Sequence, residues 1–500
     1  MPFLSRLSSW AHESPTAPAV RVGRESLSWE ELLQDAATLL DGVPDGGYSV
    51  IQEQNTLAFI LRWVAGVSGT RRCVVLDAGL PDDVADGIRA EVAAHWGAPQ
   101  ALAPHPGWSR AAAPGAPSRE TVVVHHEAVR SGELVDGPAD SPFLLALTSG
   151  TATVPKGIVR TRGSWEASFA SSTEFFGLTR DEVTLAPGPM SSGLGLYALS
   201  ECLYAGAEFR TLASFDVDAV HDAVEHDGVT RLVLVPSMLR VLAERGILAG
   251  ADASSLRSIV VAGAKLDPRT LEAARRWAPA ARIHEYYGAQ ELSFVSGSCL
   301  SPQDPLTDHL LASTSVGRPF PGVEVAILDA DGVPVPDGHT GSIAVRSAMV
   351  SEGYLWGTDE QGLTRFGEWS TVHDQGFLRE GILHFLGRAS DMIESGGLVI
   401  HPQEIERAVG ALPGVEFALV TGVDDPLRGE RLVAAVRIGH RGLGEGQLRI
   451  GLADLVDPRM LPEAFHELRE IPLTSRGKVS RAMLSEWILN GDPRVPRLPA

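Results

Sequence analysis

Lysine is scarce in this chain, and two lysines fall in segments whose composition suits phosphate chemistry. Only three of the 42 basic residues are lysine, and the others are arginine. Lys156 lies in segment 148–157, which is rich in Thr, Ser and Gly, and Lys478 lies in segment 472–481. A lysine ammonium is a compact point charge that binds phosphate oxygens, unlike the planar fork of arginine. Both segments are therefore predicted to meet phosphate groups.

The first lysine segment has the composition of a phosphate-binding loop but lacks the Walker A sequence. Backbone N–H groups and small hydroxyls from Ser149 to Gly157 could donate to several phosphate oxygens, and Lys156 would add charge. A Walker A loop has Gly before the lysine and Ser or Thr after it, whereas Pro155 and Gly157 stand there. From these residues alone, an ordinary surface loop is the alternative.

The composition argues against several classes of partner. The 500 residues carry a net charge of −21, whereas nucleic-acid and anionic-membrane binders need clustered positive charge. No apolar stretch is long enough for a transmembrane helix, and residues 1–15 lack the apolar core of a signal peptide. Cys73, Cys202 and Cys299 match no metal-binding spacing. We expect a cytoplasmic protein that binds neither nucleic acid nor membranes.

Strand-length apolar runs alternate with helical patterns, which favours a parallel α/β architecture. Segment 143–147 predicts a buried strand that leads into the first lysine segment. Segments 232–235 and 258–262 predict two more strands, followed by the breakers Pro236 and Gly263. In such sheets a ligand binds beyond the carboxyl ends of the strands. The loops after these strands are therefore expected to form the site.

The texture changes after about residue 315, where Pro and Asp-Gly pairs separate short strand patterns. A compact α+β stretch follows residue 389, with a helix opened by Pro402 and strands at 415–421 and 431–438. We therefore predict two domains. A large N-terminal α/β domain would span 1–389, with a β-rich subdomain at about 315–389, and a small, mobile α+β C-terminal domain would span 390–500.

Five segments, taken in order, resemble the motifs of the ANL superfamily of adenylate-forming enzymes, which includes acyl-CoA synthetases, adenylation domains of peptide synthetases and luciferases. They are 148–157, 287–291, 374–376, 387–406 and 472–481. The resemblance covers essentially the whole chain. It implies an AMP-binding enzyme that uses ATP, Mg²⁺ and CoA, or a phosphopantetheine arm, to convert a small carboxylic acid to an acyl-adenylate and then to a thioester.

The resemblance also implies roles for individual residues of the nucleotide site. The residues implied to bind ATP are Thr148, Ser149, Gly150, Thr151, Lys156, Gly263, Ala264, Tyr287, Gly288, Asp374 and Arg388. Lys156 and the loop hydroxyls would hold the β- and γ-phosphates, Tyr287 would lie against adenine, and Asp374 would accept the ribose hydroxyls. Arg388 would brace the ribose or a phosphate.

Three residues are implied to act on the reacting groups. Glu291 would bind Mg²⁺, which prefers hard oxygen ligands. Gln290 stands where relatives have a Thr that touches the α-phosphate, and its amide can still donate. Lys478 would stabilise the charge that develops on the α-phosphate during adenylation.

The small domain of this family rotates after adenylation, and this chain departs from the family pattern near the hinge. Ser390 stands at the hinge position, where Asp or Lys is expected. Gly396 and Gly397 would line the thiol tunnel, because glycine lets a ligand pass close to the backbone; a plain hairpin turn is the alternative. Two further departures are Ala152-Thr153 in the phosphate loop and Val372-His373 before Asp374.

The acid pocket is predicted from residues after the strands, and its chemistry stays open. Tyr197 and Phe294 are expected as walls, with the small residues Ser192 and Gly193 between them. Gly193 falls where amino-acid-activating relatives have Asp, and Ser192 lies near where aryl-acid ligases have an aromatic residue or His. Lys265 either contacts a polar group of the substrate or is solvated.

The leading interpretation is a stand-alone, Mg-ATP-dependent acid–thiol ligase that transfers the acyl group to CoA. One alternative keeps the adenylation but transfers to a separate carrier protein, an amine or another small nucleophile. A second alternative is a non-catalytic homologue that binds nucleotide. The acid is not identified by the sequence, and both monomer and homodimer stay open.

Overall fold

The structure is a computed structural model that describes residues 3–40, 44–97, 132–148, 155–305, 314–357, 362–395, 398–425, 429–439, 443–472 and 479–499. It has the predicted α/β class, with both parallel and antiparallel sheets. The chain divides into two compact units. One comprises Met1–Leu311, Val316–Val325 and Val345–Ser370, and the other comprises Ala312–Ser315, Ala326–Ala344 and Thr371–Ala500.

A nine-stranded sheet forms the centre of the first unit. Its strands in chain order are β1 (Pro18–Val22), β2 (Glu25–Ser28), β7 (Val183–Leu185), β8 (Glu208–Thr211), β9 (Arg231–Leu234), β10 (Ser258–Val261), β11 (Arg282–Ala289), β12 (Ser293–Leu300) and β13 (Arg318–Pro319). The spatial order is β13-β12-β11-β10-β9-β7-β8-β1-β2. Pairing from β1 through β8, β7, β9 and β10 to β11 is parallel, and β12 returns antiparallel to β11. The predicted strands 232–235 and 258–262 coincide with β9 and β10 to within one residue.

A second sheet of the first unit carries Lys156. Its strands are β3 (Tyr48–Gln52), β4 (Arg72–Leu76), β5 (Pro142–Thr148), β6 (Lys156–Thr161) and β16 (Gly353–Trp356), in the spatial order β16-β6-β5-β4-β3. Strands β5 and β6 are antiparallel, with Thr148 opposite Lys156. The predicted strand 143–147 therefore leads into the first lysine segment as expected.

The helices of the first unit begin at the signals that the sequence carries. They are α1 (Leu4–Glu13), α2 (Trp29–Thr38), α3 (Leu57–Gly66), α4 (Asp82–Trp96), α5 (Arg162–Phe176), α6 (Gly193–Ala205), α7 (Val217–His226), α8 (Pro236–Ala249) and α9 (Pro268–Trp277). Pro236 and Pro268 stand at the first helical position, where the missing N–H costs nothing. None of the helices in the described ranges has the length and apolarity that a bilayer crossing requires.

A five-stranded sheet follows in the chain, consisting of β14 (Glu324–Leu328), β15 (Gly341–Arg346), β17 (Thr364–Phe366), β18 (Trp369–Arg379) and β19 (Ile382–Arg388). Strands β14, β15 and β18 each run from one unit into the other. Within β18 the two compact units meet between Ser370 and Thr371, which is earlier in the chain than the predicted domain boundary near residue 389. A boundary near residue 389 as the pivot of a movement stays a prediction.

The second unit contains the expected α+β stretch. Its strands are β20 (Ile393–Ser395), β21 (Leu398–Ile400), β22 (Val415–Asp425), β23 (Gly429–Ile438) and β24 (Ala464–Glu467), and its helices are α10 (Pro402–Gly410), α11 (Glu445–Leu452) and α12 (Arg481–Leu489). Alternate residues of β23 enter two separate apolar clusters, Leu432 and Ala434 on one face and Val433 and Ala435 on the other. This sheet is therefore covered on both faces.

Candidate active site

The carboxyl end of β11 carries Tyr287 and Gly288, and the turn that follows carries Gln290 and Glu291. The pairing of β11 with β12 is irregular between Tyr287 and Gly288. A Cβ atom on Gly288 would lie 2.2 Å from the carbonyl oxygen of Ser293, so only glycine fits there. Ser293 itself has a φ of 64°, which is uncommon for a residue with a side chain. The backbone on both sides of Glu291 is therefore sterically constrained.

Tyr354 connects two residues that the sequence predicted to meet ATP and Mg²⁺. Its hydroxyl donates to Glu291 Oε1 at 2.8 Å and accepts from the backbone N–H of Leu363 at 3.1 Å. Lys156 Nζ lies 5.6 Å from the centre of the Tyr354 ring. Pairing of β16 with β6 puts Tyr354 opposite Ile158 and makes this arrangement possible. No quoted motif contains Tyr354, so sequence reasoning missed it.

Arg160 is hydrogen-bonded to the backbone of the turn that carries Glu291. Its side chain is 2% exposed and donates to the carbonyl oxygens of Gln290 at 3.2 Å and Met349 at 2.7 Å. Burial lowers the pKa of Arg160 to about 10, opposed by Tyr197 and Glu291, so the guanidinium is charged at neutral pH. The sequence signal for this second missed residue is an arginine inside the apolar strand β6.

The surroundings of Glu291 fit a magnesium ion. Its carboxylate supplies hard oxygen, and the hydrogen bond from Tyr354 fixes its orientation. Magnesium in nucleotide sites takes one or two carboxylates and completes its octahedron with water and phosphate oxygens. Glu291 would thus hold the ion, and the ion would neutralise phosphate charge.

The loop after β10 contains Gly263, Ala264 and Lys265. Gly263 has a φ of 93°, in the region that favours glycine. Lys265 Nζ contacts Glu285 Oε2 at 2.5 Å, and the backbone N–H of Leu266 donates to Glu285 Oε1 at 2.6 Å. One carboxylate of β11 therefore fixes this loop. Lys265 is an ion-paired residue here, and a contact with substrate stays a prediction.

Asn55 organises the segment that leads into α6. Its side-chain amide donates to the carbonyl oxygens of Gly188 at 2.9 Å and Leu212 at 2.8 Å, and its oxygen accepts from the Met190 N–H at 2.7 Å. Asn55 is 6% exposed, so these bonds replace lost hydration. Sequence reasoning missed this residue, which lies far away in the chain.

Ser192 caps α6 and Gly193 is its first residue, and their place in the acid pocket stays a prediction. Ser192 Oγ accepts from the Gly195 N–H at 3.1 Å and donates to the Pro189 carbonyl at 2.7 Å, so it caps the helix. A Cβ atom on Gly193 would lie 2.1 Å from Nε2 of Gln290. An aspartate at this position would therefore have to displace the Gln290 amide.

Tyr197 and Phe294 pack on each other, with ring centres 5.2 Å apart. The Tyr197 hydroxyl donates to Ser168 at 3.0 Å and pairs with Ser172 at 2.9 Å. Burial raises the pKa of Tyr197 well above its ordinary value, and the charge of Glu201 adds to the shift. Tyr197 is thus a neutral aromatic wall whose hydroxyl is already bonded.

In the second unit, Asp374 and Arg388 face each other across β18 and β19, and their roles toward the ribose stay predictions. Arg388 Nε lies 3.8 Å from Asp374 Oδ1, and the Asp374 side chain is 7% exposed. His373 has a φ of 60°. Glycine, which is common at this position in the family, adopts that conformation without strain, whereas a residue with a side chain adopts it at some cost.

Arg481 ties the hinge segment to two helices of the second unit. It donates to both oxygens of Glu406 in α10, at 2.9 and 2.7 Å, and to Asp391 Oδ2 at 3.2 Å. Asp391 lies in the 3₁₀ helix Ala389–Asp391, which also contains Ser390. The backbone around the predicted hinge is therefore held by a three-residue ionic cluster.

Several predicted residues lie outside the described ranges. They are Ser149, Gly150, Thr151, Gly396, Gly397 and Lys478. Thr148 ends β5, so the phosphate loop begins beside the strand that carries Lys156. The roles assigned to all of these residues stay predictions.

The sequence matches two family models. The model described as AMP-binding enzyme covers residues 7–355, and the model described as AMP-binding enzyme C-terminal domain covers residues 404–478. An uncharacterized acyl–CoA ligase of Bacillus subtilis is 31% identical over 70% of this chain and 69% of its own length. An indoleacetate–CoA ligase of Aromatoleum aromaticum is 33% identical over the same shares.

Solved structures share the fold over nearly the whole chain. ATP-bound MatB from Rhodopseudomonas palustris has a TM-score of 0.82 and 22% identity, covering 98% of this chain and 99% of its own. The amide bond synthetase McbA from Marinactinospora thermotolerans has a TM-score of 0.76 and 26% identity, covering 98% of this chain and 100% of its own.

Proposed function

We propose that this chain, which belongs to the family of AMP-binding enzymes, is a magnesium- and ATP-dependent ligase that joins a carboxylic acid to coenzyme A. The convergence of Lys156 and Glu291 on Tyr354 carries the proposal. An ammonium near the ring of a phenol and a carboxylate bonded to its hydroxyl can receive a triphosphate and its metal ion, respectively. The two curated relatives described above are both named CoA ligases, which supports thioester formation.

The reaction would proceed in two displacements. An oxygen of the substrate carboxylate attacks the α-phosphorus of ATP, a P–O bond breaks and pyrophosphate leaves. The thiol of CoA, losing its proton, then attacks the acyl carbonyl, and AMP leaves. Lys156 would hold the outer phosphates, Lys478 would stabilise charge at the α-phosphate, and the Gln290 amide would donate beside it. Asp374 and Arg388 would meet the ribose.

An amine as the acceptor is the second candidate. The observation that favours it is the amide bond synthetase, which is 26% identical over 98% of this chain. Adenylation would be unchanged, and an amine nitrogen would attack the acyl carbonyl in place of the thiol. Only the second displacement distinguishes the two candidates.

The first experiment tests adenylation by acid-dependent exchange of pyrophosphate into ATP. We expect exchange with some members of a broad panel of carboxylic acids. Glu291→Gln should reduce it by about 10²-fold or more, since it removes a carboxylate ligand from the magnesium ion that neutralises phosphate charge. Glu352→Gln is the matched control, because this exposed carboxylate lies just before β16. ATP binding without exchange for any acid would instead favour the non-catalytic homologue.

The second experiment identifies the acceptor. The enzyme, ATP and an activated acid are combined with CoA, with a phosphopantetheinylated carrier protein or with an alkyl or aryl amine. Thioester formation with CoA at the highest kcat/KM is the expected result. Preferred amide formation would replace the ligase proposal with the second candidate.

A further inference from the structure

Two opposite charges lie sealed beside the predicted acid pocket. Glu201 of α6 is 1% exposed and Arg231 at the start of β9 is 2% exposed. Arg231 Nη2 donates to Glu201 Oε2 at 2.7 Å. The pair lines a void together with the expected pocket walls Tyr197 and Phe294. The lining of this void is therefore partly ionic and not purely hydrocarbon.

The pair is incompletely bonded. Glu201 Oε1, Arg231 Nε and Arg231 Nη1 are buried and have no hydrogen-bond partner among the described residues. Such atoms are rare in folded proteins because lost hydration is not replaced, and they call for a ligand or a bound water. The adjacent void has room for about one water molecule. The acceptor Glu201 Oε1 and the donors Arg231 Nε and Nη1 therefore lie beside a void of about the size of one water molecule.

The pair is neutral as a whole. Burial alone would lower the pKa of Arg231, but Glu201 and further neighbours outweigh burial, and the net pKa is raised. The Arg231 guanidinium also lies 5.4 Å from the centre of the Phe176 ring. A charged ligand group in the void would leave one buried charge unbalanced, whereas a neutral polar group would not.

Arg231 lies at the amino end of β9, away from the carboxyl edge of the sheet. Arg231 begins β9, and Val235 follows the other end of that strand, about 13 Å away at the usual strand rise. Val233 and Val260 line the void between the pair and the carboxyl edge of the sheet. An acid whose carboxylate lies at that edge would therefore direct its far end toward Arg231 and Glu201.

We infer, on the basis of the proposed function, that Arg231 and Glu201 select flat aromatic acids whose far end carries an uncharged hydrogen-bonding group. A hydroxyl or a ring N–H there donates to Glu201 Oε1, and a hydroxyl also accepts from Arg231. Tyr197, Tyr286 and Phe294 border the same void, so the part of an acid next to its far end would lie against aromatic rings. A methyl group in this place would leave the polar atoms unbonded, which sites built for a hydroxyl reject.

Pairs of acids of nearly equal shape test the inference on the unmodified enzyme. 4-Hydroxycinnamate is compared with 4-methylcinnamate, and indole-3-acetate with naphthalene-1-acetate, by kcat/KM for pyrophosphate release. We expect the hydroxyl or N–H member of at least one pair to be preferred about tenfold or more. Equal rates within both pairs would overturn the inference, as would activation of straight-chain acids alone. No turnover with any acid would instead remove the proposed function.

A double variant then tests the two residues. Arg231→Met with Glu201→Leu replaces the pair by apolar side chains of similar size, and we expect the preference to disappear while the methyl acid gains. The matched control is Arg210→Met with Glu208→Leu, a pair with 9% and 10% exposed side chains that does not line the void. The control should keep the preference. If the double variant does not fold, the acid pairs on the unmodified enzyme decide alone.

Discussion

Each unit contains an arginine–glutamate pair, and the two pairs are bonded very differently. Arg231 makes one hydrogen bond to Glu201, and three polar atoms of that pair have no partner among the described residues. Arg481 makes three to Glu406, one to Asp391, and Glu406 also accepts from the Val420 N–H at 2.9 Å. The incompletely bonded pair is nevertheless the more deeply buried one, with side chains 2% and 1% exposed.

The difference separates a structural ion pair from one prepared for a ligand. The Arg481 cluster satisfies its own charges and joins the hinge segment to α10 and α12. The Arg231 pair is as buried as the core, yet three of its polar atoms have no hydrogen-bond partner among the described residues, which costs free energy. Complete bonding thus indicates a structural role, and incomplete bonding within a pocket indicates recognition.

The largest effect is expected from breaking the buried pair. Arg231→Met should lower the free energy of unfolding by about 3–5 kcal/mol, because it leaves the Glu201 charge buried without a partner. Adding Glu201→Leu should recover most of that loss. Urea unfolding followed by circular dichroism measures both. A mild single variant would mean that the two pairs are energetically alike.

The second prediction contrasts the catalytic role proposed for Lys478 with the structural role of Arg481, which follows it by three residues. Lys478→Ala should lower acyl-adenylate formation by about 10²–10³-fold, because the developing charge on the α-phosphate loses its cation. Thioester formation from supplied acyl-adenylate should be spared, and so should the unfolding midpoint. Rapid-quench assays of the two half-reactions measure this. An equal fall in both would contradict the two-conformation scheme.

The third prediction uses His284 as a reporter of the charge on Arg231. Burial lowers the pKa of His284 to about 4, and the charges of Arg231 and Arg282 add to the shift. The folded protein therefore resists a proton that the unfolded chain accepts below about pH 6.5, so stability falls as the pH drops toward 4. The expected contribution is about 3 kcal/mol, measured as the difference from His284→Gln. The double variant at Arg231 and Glu201 should shrink that difference; an unchanged difference would mean that the charge of Arg231 does not act on His284.

The smallest effect is expected in the second unit. Arg481→Met should cost about 1–3 kcal/mol, since it removes charged hydrogen bonds from partly buried carboxylates that keep some access to water. Hydrogen exchange in Ala389–Asp391 and α10 should rise, which tests the structural role directly. The preference among acids should not change. A changed preference would show that the division between structural and recognition pairs is wrong.

The sequence predicted those parts of the site that lie in short, contiguous motifs. Glu291 lies in a turn, Asp374 lies within β18 and Arg388 ends β19, and each belongs to a motif of contiguous residues. The α/β class followed from apolar periodicity. Arg160, Tyr354 and Asn55 were missed, because their partners lie 130, 63 and 133 residues away in the chain. Single residues without a motif give no signal until strands pair.

Local composition determined the alternation of strands and helices, the phosphate-loop segment and the family, because each depends on residues close together in the chain. Only the tertiary structure decided that Glu201 and Arg231 share a void with Tyr197, that Gly193 abuts the Gln290 amide, and that Ser192 serves α6. The reason is physical. Burial and hydrogen-bond satisfaction are properties of packed neighbours, and packing brings together residues that the chain itself keeps apart.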